Sequence, residues 1–209
     1  MPREENQQDM TRVKLRPIRV ADAEVCFSWV TDPDVARYLG LLQAPITVEA
    51  ERAWIARAIS DKANQRVFVI EDENGRAIGT CGLRGIDREA GHAFLGIMVG
   101  AKRVWDQGYG TAATMALVDF AFRSLGLREV RLGCHVDNRR GLRCYQKAGF
   151  GITQDKGEDR IYGRAEVRMV IGRAKWEALR REGRGEAGQA LAACPPSEED
   201  TDGDYGLPL

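Results

Sequence analysis

The segment from Gly96 to Ala113 constrains the fold more than any other part of the chain. It reads GIMVGAKRVWDQGYGTAA, an apolar strand, a loop that ends in Gly108-Tyr109-Gly110 and the start of an amphipathic helix. A glycine-rich loop at a helix N-terminus lets an anion approach the free backbone N–H groups of the first turn. Proteins hold phosphate and pyrophosphate groups in this way. The segment therefore predicts a phosphate-bearing ligand.

The composition predicts one soluble domain and excludes several classes of protein. A chain of 209 residues, 44% hydrophobic and 30% charged, suits a single domain. The formal net charge of zero disfavours a nucleic-acid partner, which needs a basic surplus. No apolar signal segment or membrane-spanning run occurs, so we expect a cytoplasmic protein without a membrane partner. Five cysteines without CxxC spacing indicate reduced thiols and no metal site.

Hydrophobic periodicity predicts a mixed α/β fold with the element order β-α-α-β-β-β-α-β-α-β-β. The central sheet should be mostly antiparallel, flanked by about four helices, and parallel and splayed only around the 97–136 crossover. We expect one domain over residues 12–180, a flexible segment over 1–11 and a disordered acidic tail over 181–209. Strands are predicted at 13–18, 66–71, 77–83, 93–99, 130–136, 152–154 and 165–171, and helices at 22–39, 47–59, 111–125, 139–148 and 176–181.

Two common phosphate-binding motifs do not explain the loop. Gly108-x-Gly110-x-x-Ala113 formally matches a dinucleotide fingerprint, and Asp137 lies near the end of the next predicted strand, where a ribose-binding acid is expected. However, eight residues separate Val99 from Gly108, and the chain has only one βαβ crossover. No Gly-Lys-Ser/Thr sequence occurs, which excludes a P-loop.

A second constellation lies one helix and one strand further along the chain. Residues 134–150 read CHVDNRRGLRCYQKAGF, which resembles the N-x-x-A-x-x-x-Y-x-K-x-G-F motif of the GNAT superfamily of acetyl-CoA-dependent N-acetyltransferases. Residues 105–110, WDQGYG, resemble the acyl-CoA motif Q/R-x-x-G-x-G/A of that family. The two motifs have the family's order, and the resemblance spans roughly residues 12–175.

Two positions depart from the family pattern. Trp105 replaces the usual Gln or Arg, which is similar to the RimJ/RimL-like branch of ribosomal-protein N-terminal and related acetyltransferases. Gly141 replaces the usual Ala or Ser. Neither exchange removes a backbone N–H donor, although glycine in a first helical turn costs helix stability.

The resemblance implies a GNAT-like fold, acetyl-CoA as cosubstrate and no metal. The pantetheine arm would pair, like an added strand, with the backbone of Ile97, Met98 and Val99. Asn138 and Gly141 would lie against the pantetheine arm, although Asn138 is also a candidate helix N-cap. The segment 30–45 would cover the acceptor pocket. Val104 would also contact the cofactor. The pyrophosphate would meet the N–H groups of the loop and first helical turn, namely Trp105, Asp106, Gln107, Gly108, Tyr109, Gly110 and Thr111.

Tyr145 is the candidate catalytic residue. It lies seven residues after Asn138, two turns along the same predicted helix, so both residues face the same end of the sheet. Acetyl transfer releases a CoA thiolate. A phenol of pKa about 10 can hydrogen-bond to a sulfur whose thiol pKa is about 8.5 and give up its proton as charge develops. The alternative role is that of an aromatic packing residue.

The expected reaction is direct attack of a primary amine on acetyl-CoA in a ternary complex, with an oxyanion contact from a backbone N–H near Val99. No carboxylate is an obvious base, because Leu95 stands where many relatives have Glu, and only His92 and His135 are candidates. At pH 7 an α-amine of pKa about 7.8 is about 15% neutral, whereas a lysine amine is about 0.04% neutral. A site without a base therefore favours a protein N-terminal α-amine.

Other acceptors and another class of function stay open. A small-molecule acceptor, either a polyamine or an aminoglycoside, would need an acidic pocket. A non-catalytic acyl-CoA-binding sensor would keep the loop but would have no use for Tyr145. The exposed terminal strands also leave a homodimer open. The candidates for an acidic pocket are the pairs Asp32/Asp34, Asp72/Glu73 and Asp87/Glu89, which also suit solvated turns.

Overall fold

The computed structural model of the protein describes residues 12–39, 47–158 and 165–183. The predicted flexible segment 1–11 and residues 184–209 of the predicted tail lie outside these ranges, as does Cys194. The domain boundaries at both ends therefore stay predictions.

A seven-stranded sheet in the order β1-β2-β3-β4-β5-β7-β6 forms the centre of the molecule. All neighbouring strands are antiparallel except β4 and β5, which are parallel. This arrangement confirms the predicted mixed sheet with a single parallel crossover. The strands are β1 Lys14–Pro17, β2 Gln65–Glu71, β3 Ala77–Asp87, β4 His92–Val99, β5 Glu129–His135, β6 Gly151–Glu158 and β7 Ala165–Gly172.

Six α-helices occur within the described ranges, rather than about four. Two are short pieces of the first predicted helix, which divides at Pro33 because Asp32 accepts a hydrogen bond from the Asp34 N–H (2.9 Å) and starts a new helix. No helix in these ranges is both long and apolar enough to cross a membrane. The helices are α1 Ala23–Val30, α2 Pro33–Ala36, α3 Val48–Ser60, α4 Tyr109–Arg123, α5 Arg139–Lys147 and α6 Arg173–Arg181.

The helices cover the two faces of the sheet unequally. The long helix α4 packs on one face of the sheet, and its residues Leu117 and Phe122 are fully buried in the main core. On the other face α1 and α3 cover β2 and β3 through a second core that includes Trp29 and Ile55. On that second face Gly133 of β5 is exposed. The sheet therefore has an open surface beside the parallel pair.

Two expectations about the helices were wrong in detail. The long helix begins at Tyr109 rather than Thr111, which moves Gly110 from the loop into the first helical turn. The apolar pattern of the helix predicted at 47–59 also places Trp54 on its inner face, but Trp54 is 39% exposed, whereas Ile55 beside it is buried. A helix places neighbouring residues about 100° apart, and the buried stripe of α3 includes only one of this pair.

Candidate active site

The cleft between β4 and β5 arises because the two strands diverge. They pair only over His92–Phe94 and Glu129–Arg131, although β4 continues to Val99 and β5 to His135. On their outer sides β4 stays paired with β3 and β5 with β7 up to these ends. Each strand therefore turns backbone N–H and C=O groups that pair with no neighbouring strand toward the cleft. An extended ligand that contains amide groups, such as a pantetheine arm, can pair with them.

The loop after β4 directs the N-terminus of α4 at this cleft. Gly108 is the N-cap of α4 with a left-handed φ of 89°, and it has no side chain to cap the helix. Asp106 also has a positive φ, 60°, alone among non-glycine residues of the described ranges. The N–H groups of the first helical turn, up to Thr111, are therefore left for a ligand, at the positive end of the helix dipole.

Trp105 holds the loop in place through its side chain, and its backbone N–H is not available to a phosphate group. Its indole N–H donates to the Val99 carbonyl at the end of β4 (2.7 Å), and the Arg140 guanidinium stacks on its ring 3.7 Å from the centroid. The backbone N–H groups of Val104 and Trp105 already donate to carbonyls three residues earlier (3.1 Å each). The N–H donors left for a pyrophosphate therefore start at Asp106.

The hairpin turn between β2 and β3 holds the same loop from the other side. The Tyr109 hydroxyl donates to the Glu73 carboxylate (2.8 Å) and accepts from the Arg12 guanidinium (3.1 Å). The Arg103 guanidinium donates to the Asp72 carboxylate (3.0 Å). Burial acts to raise the pKa of Asp72, but backbone N–H groups of its turn and Arg103 outweigh it and hold the pKa below its ordinary value. We call these residues the hairpin clamp.

Asn138 caps α5, which confirms one of its two predicted roles. Its side-chain oxygen accepts from the Gly141 N–H (2.9 Å). A Cβ atom on Gly141 would lie 2.7 Å from the Asn138 amide nitrogen. Because the Asn138 side chain occupies this space when it caps the helix, glycine fits here where the family usually has Ala or Ser. The contacts of Asn138 and Gly141 with a pantetheine arm stay predictions.

Tyr145 is 9% exposed and lies against Phe150, with ring centroids 6.1 Å apart. Burial raises the pKa of its phenol well above the ordinary value. The ring also lines the cavity at the cleft, and its hydroxyl makes no hydrogen bond within the described residues. Tyr145 is thus both a packing residue and a protonated donor without a partner.

A cavity of about 680 Å³ brings these parts together. It is lined by every residue predicted to contact acetyl-CoA except Gln107, whose side chain donates to the Arg103 carbonyl (2.7 Å). The same cavity is lined by Arg140, Arg143 and Lys147 of α5, which sequence reasoning missed. Their spacing of three and four residues within the second motif places them near one another on the helix and could have revealed this cationic surface.

The far end of the cavity is lined by residues from outside both motifs. From the segment 30–45, predicted to cover the acceptor pocket, Asp34, Val35, Tyr38 and Leu39 line the cavity, whereas residues 40–45 lie outside the described ranges. The Tyr38 hydroxyl donates to the Asp137 carbonyl (3.5 Å), and its ring lies 6.1 Å from that of His135. Tyr38 therefore bridges α2 to the loop after β5. Glu166 and Arg168 of β7 and Arg84 of β3 also line this end.

The two histidines have different positions. His135 is 7% exposed and lines the cavity. His92 starts β4, about 23 Å along the strand from Val99, and packs edge-on against Phe94 (5.9 Å between centroids). Of the two candidate bases, only His135 is near the cleft. Leu95 is 4% exposed in the main core, so the position at which a base was sought faces away from the open surface.

The acidic pairs mostly form local contacts. Asp32 and Asp34 both bind Lys102 (2.7 and 2.9 Å). Asp72 and Glu73 belong to the hairpin clamp, and Asp87 caps the following turn. Of these residues only Asp34 lines the cavity. These three pairs therefore do not form an acidic pocket at the cavity.

Of the cysteines near the site, Cys134 is buried and Cys144 is partly buried. Burial raises the pKa of the Cys134 thiol to about 12, and burial also raises the pKa of Cys144. Both therefore stay protonated and unreactive at neutral pH. Cys26 and Cys81 are also free and buried.

Comparisons with known proteins agree with this geometry. The model of the acetyltransferase (GNAT) domain matches residues 12–151. The chain is 29% identical over 164 residues to the uncharacterized N-acetyltransferase p20 of Bacillus licheniformis, a match that covers 76% of this chain and 88% of that protein. It is 26% identical over 142 residues to the uncharacterized N-acetyltransferase YoaA of Bacillus subtilis (strain 168), covering 66% and 79%.

Among solved structures, the fold is similar to that of a spermidine N-acetyltransferase from Vibrio cholerae in complex with CoA and spermine. The TM-score is 0.72 at 20% identity, and the match covers 79% of this chain and 98% of that one. At this identity the likeness concerns the fold.

Proposed function

The chain belongs to the GNAT acetyltransferase family, whose domain model covers residues 12–151, and from that membership we propose that it acetylates the primary amine of a small molecule. It is an acetyl-CoA-dependent acyltransferase and an N-acetyltransferase. The identity of the amine and the residues that carry the reaction are the proposal.

The observation that carries the proposal is the divergence of β4 and β5 over one continuous cavity. The diverging strands present backbone partners for the pantetheine arm, and the first turn of α4 presents N–H donors for the pyrophosphate. Tyr145 lies at the same cavity. The thioester carbonyl would then lie in the cleft near Val99, open to an amine that enters from the far end.

The function of each group follows from its chemistry. The strand edge and the helix N-terminus position the thioester, which is the main contribution of a site that forms no covalent intermediate. A backbone N–H near Val99 stabilises the oxyanion that develops on the carbonyl. The Tyr145 hydroxyl donates a hydrogen bond to the departing sulfur. Because burial raises its pKa, this phenol acts as a lasting donor more than as a strong acid.

Two observations support a small-molecule acceptor over the protein N-terminal α-amine. Tyr38 bridges across the far end of the cavity, which narrows the approach for a polypeptide. The spermidine N-acetyltransferase of similar fold holds CoA and spermine. The α-amine was favoured because no base was found in the sequence. Glu166 now provides a carboxylate in the cavity, which removes that reason.

We also retain the RimJ/RimL-like branch as a proposal. It rests on Trp105, whose indole N–H donates to the Val99 carbonyl. An aromatic residue at this position thus has a structural reason, since it ties the loop to the end of β4. A branch that includes ribosomal-protein N-terminal acetyltransferases and their relatives is compatible with either type of acceptor.

A panel of acceptors tests the proposed function. Thiol release from acetyl-CoA would be measured with polyamines, aminoglycosides, simple alkylamines and short peptides with free N-termini. We expect turnover with at least one small amine at a higher kcat/KM than with any peptide. A preference for peptides would return the acceptor to a protein N-terminus. Tight CoA binding without turnover of any amine would favour the acyl-CoA sensor instead.

A further inference from the structure

Glu166 places a carboxylate at the end of the cavity where the amine must enter. It lies on β7 in register with His135, the last residue of β5, and its side chain is 24% exposed. Residues alternate between the two faces of a strand, and the core-facing positions of β7 are those of Met169 and Ile171. Glu166 therefore projects from the opposite face, the open surface beside the parallel pair.

Gly133 determines where this carboxylate lies. A Cβ atom on Gly133 would sit 2.5 Å from the Glu166 Oε2 atom and 2.8 Å from its carboxyl carbon, so the carboxylate occupies the space a side chain would fill. Gly133 also lines the cavity. The absence of a side chain on β5 thus lets Glu166 lie across the strand toward the cleft.

Within the described ranges no strong ion pair neutralises this carboxylate. Its partner in the described part of the chain, Arg168, lies two residues along the same strand at 3.9 Å and is 53% exposed. An ion pair of that length and exposure is weak, at about 0–1 kcal/mol. Glu166 therefore keeps its capacity to accept hydrogen bonds from a ligand.

We propose that Glu166, held across Gly133, binds the ammonium group of the acceptor and accepts the proton that this group loses before it attacks the thioester, and so selects an amine that is cationic in solution. The inference rests on the proposed function, since it assigns the acceptor half of the same site. A carboxylate is the partner that a protonated alkylamine requires when it leaves water. The substrate class that follows is an alkylamine of high pKa.

Two variants separate the carboxylate from the space it occupies. Glu166→Gln removes the charge and keeps the shape. Gly133→Ala keeps the charge but inserts a methyl group where the carboxylate lies. Because Gly133 does not have a positive φ, alanine fits its strand backbone and the variant should fold. Glu129→Gln is the matched control, since Glu129 lies on neighbouring β5, is 33% exposed and pairs with an arginine two residues away.

Steady-state kinetics with the best amine of the panel provide the test. We expect Glu166→Gln to raise KM for the amine by about 10- to 100-fold, the loss typical of a hydrogen bond to a charged group. Gly133→Ala should raise it by about tenfold through misplacement. KM for acetyl-CoA should stay unchanged in both, and Glu129→Gln should behave as wild type. The double variant should equal Glu166→Gln alone, because the two changes act through one carboxylate.

Inhibition by a quaternary alkylammonium analogue, which carries the charge but cannot be acetylated, gives a readout of binding without chemistry. Its Ki should rise in parallel with the KM of the amine. If the wild type turns over small amines and Glu166→Gln leaves both the KM of the amine and the Ki of the analogue unchanged, the role of Glu166 is refuted. The proposed function would then still hold. Absence of turnover in the wild type would instead refute the proposed function.

Discussion

At the scale of single residues, burial gives Tyr145 two roles that its place in the sequence motif does not separate. The ring packs against Phe150 in the main core, and the hydroxyl at the cavity lacks a partner among the described residues. The same burial raises the pKa of the phenol. Packing fixes the position of the donor, and the raised pKa keeps its proton in place.

Replacement of Tyr145 by phenylalanine should lower kcat by about 10²-fold or more, because the departing thiolate loses its hydrogen bond. KM for acetyl-CoA and the melting temperature should change little, since the ring and its packing remain. Because the raised pKa keeps the phenol protonated, loss of the Tyr145 proton should cause no decline in wild-type kcat up to about pH 9.5. The pH profiles of the wild type and Tyr145→Phe should therefore have the same shape over this range. An unchanged kcat in the variant would end the donor role.

Asn138 allows its capping and ligand roles to be measured apart. Asn138→Ala should lower the free energy of unfolding by about 1 kcal/mol in urea titrations, since the cap on the Gly141 N–H is lost. Asn138→Asp should retain that stability, because a carboxylate also caps a helix. A ligand role predicts that Asp, which lacks the amide donor, still raises KM for acetyl-CoA. An Asp variant with wild-type KM would leave Asn138 with capping alone.

At the scale of elements, a hairpin far away in sequence holds the phosphate-binding loop. The turn after β2 contacts the loop through two independent interactions, Glu73 with Tyr109 and Asp72 with Arg103. A loop with two positive φ values needs outside contacts to keep its conformation. The hairpin clamp therefore holds the N–H groups of the first turn of α4 in their binding orientation before a ligand binds.

Loss of the hairpin clamp should weaken acetyl-CoA binding more than catalysis. Glu73→Gln and Tyr109→Phe each remove part of one contact, so we expect KM for acetyl-CoA to rise by about three- to tenfold with kcat nearly unchanged. Calorimetric titration with CoA would measure the same loss directly. Glu89→Gln, an exposed residue in the next hairpin, is the control. Equal affinities in all variants would show that the loop holds its shape unaided.

At the scale of the whole molecule, Arg16 ties the edge strand to the second core. Its guanidinium binds Asp22 before α1 (2.7 and 2.8 Å) and Glu71 on β2 (2.6 Å). Asp22 also accepts from the Arg19 N–H (2.8 Å), so it sits at the start of α1 without capping it. Burial acts to raise the pKa of Asp22, but Arg16 and the Arg19 N–H outweigh it and lower the pKa.

This lowered pKa predicts the pH dependence of stability. Because the folded pKa of Asp22 lies below its unfolded value of about 3.9, the group stabilises the fold above that pH and the contribution is lost as pH falls through the folded pKa. Asp22→Asn should therefore lower the free energy of unfolding by about 2 kcal/mol at pH 7 and by progressively less as the pH falls below about 3.9. Denaturant titrations across pH, with exposed Glu177→Gln as control, would test this. An equal loss at both pH values would contradict it.

Residues that act through local geometry could be predicted from the sequence. The loop before α4 and the cap at Asn138 depend on neighbours a few residues away, and periodicity located every strand to within a few residues. The exceptions also have local causes. Periodicity could not foresee that α4 starts at Tyr109, because a helix end depends on the positive φ of Gly108.

The contacts that complete the site join residues far apart in the chain. Glu166 meets Gly133 only through the register of β5 and β7, and Glu73 meets Tyr109 only because a hairpin reaches over the loop. A single sequence carries no signal for such pairings, since each depends on how strands align. For the same reason a base sought at Leu95, which faces the core, led to the α-amine as the favoured acceptor.

The sequence by itself determined the mixed fold, the phosphate-binding loop and the family, because these follow from periodicity, glycine spacing and two motifs of fixed order. Only the tertiary structure decided what surrounds the amine. That end of the cavity is built from α2, β3, β5 and β7, four elements whose side chains meet because the sheet splays at β4 and β5. Short-range sequence patterns determine the local backbone conformation. The charged side chains that face the acceptor are determined by which strands become neighbours in the sheet.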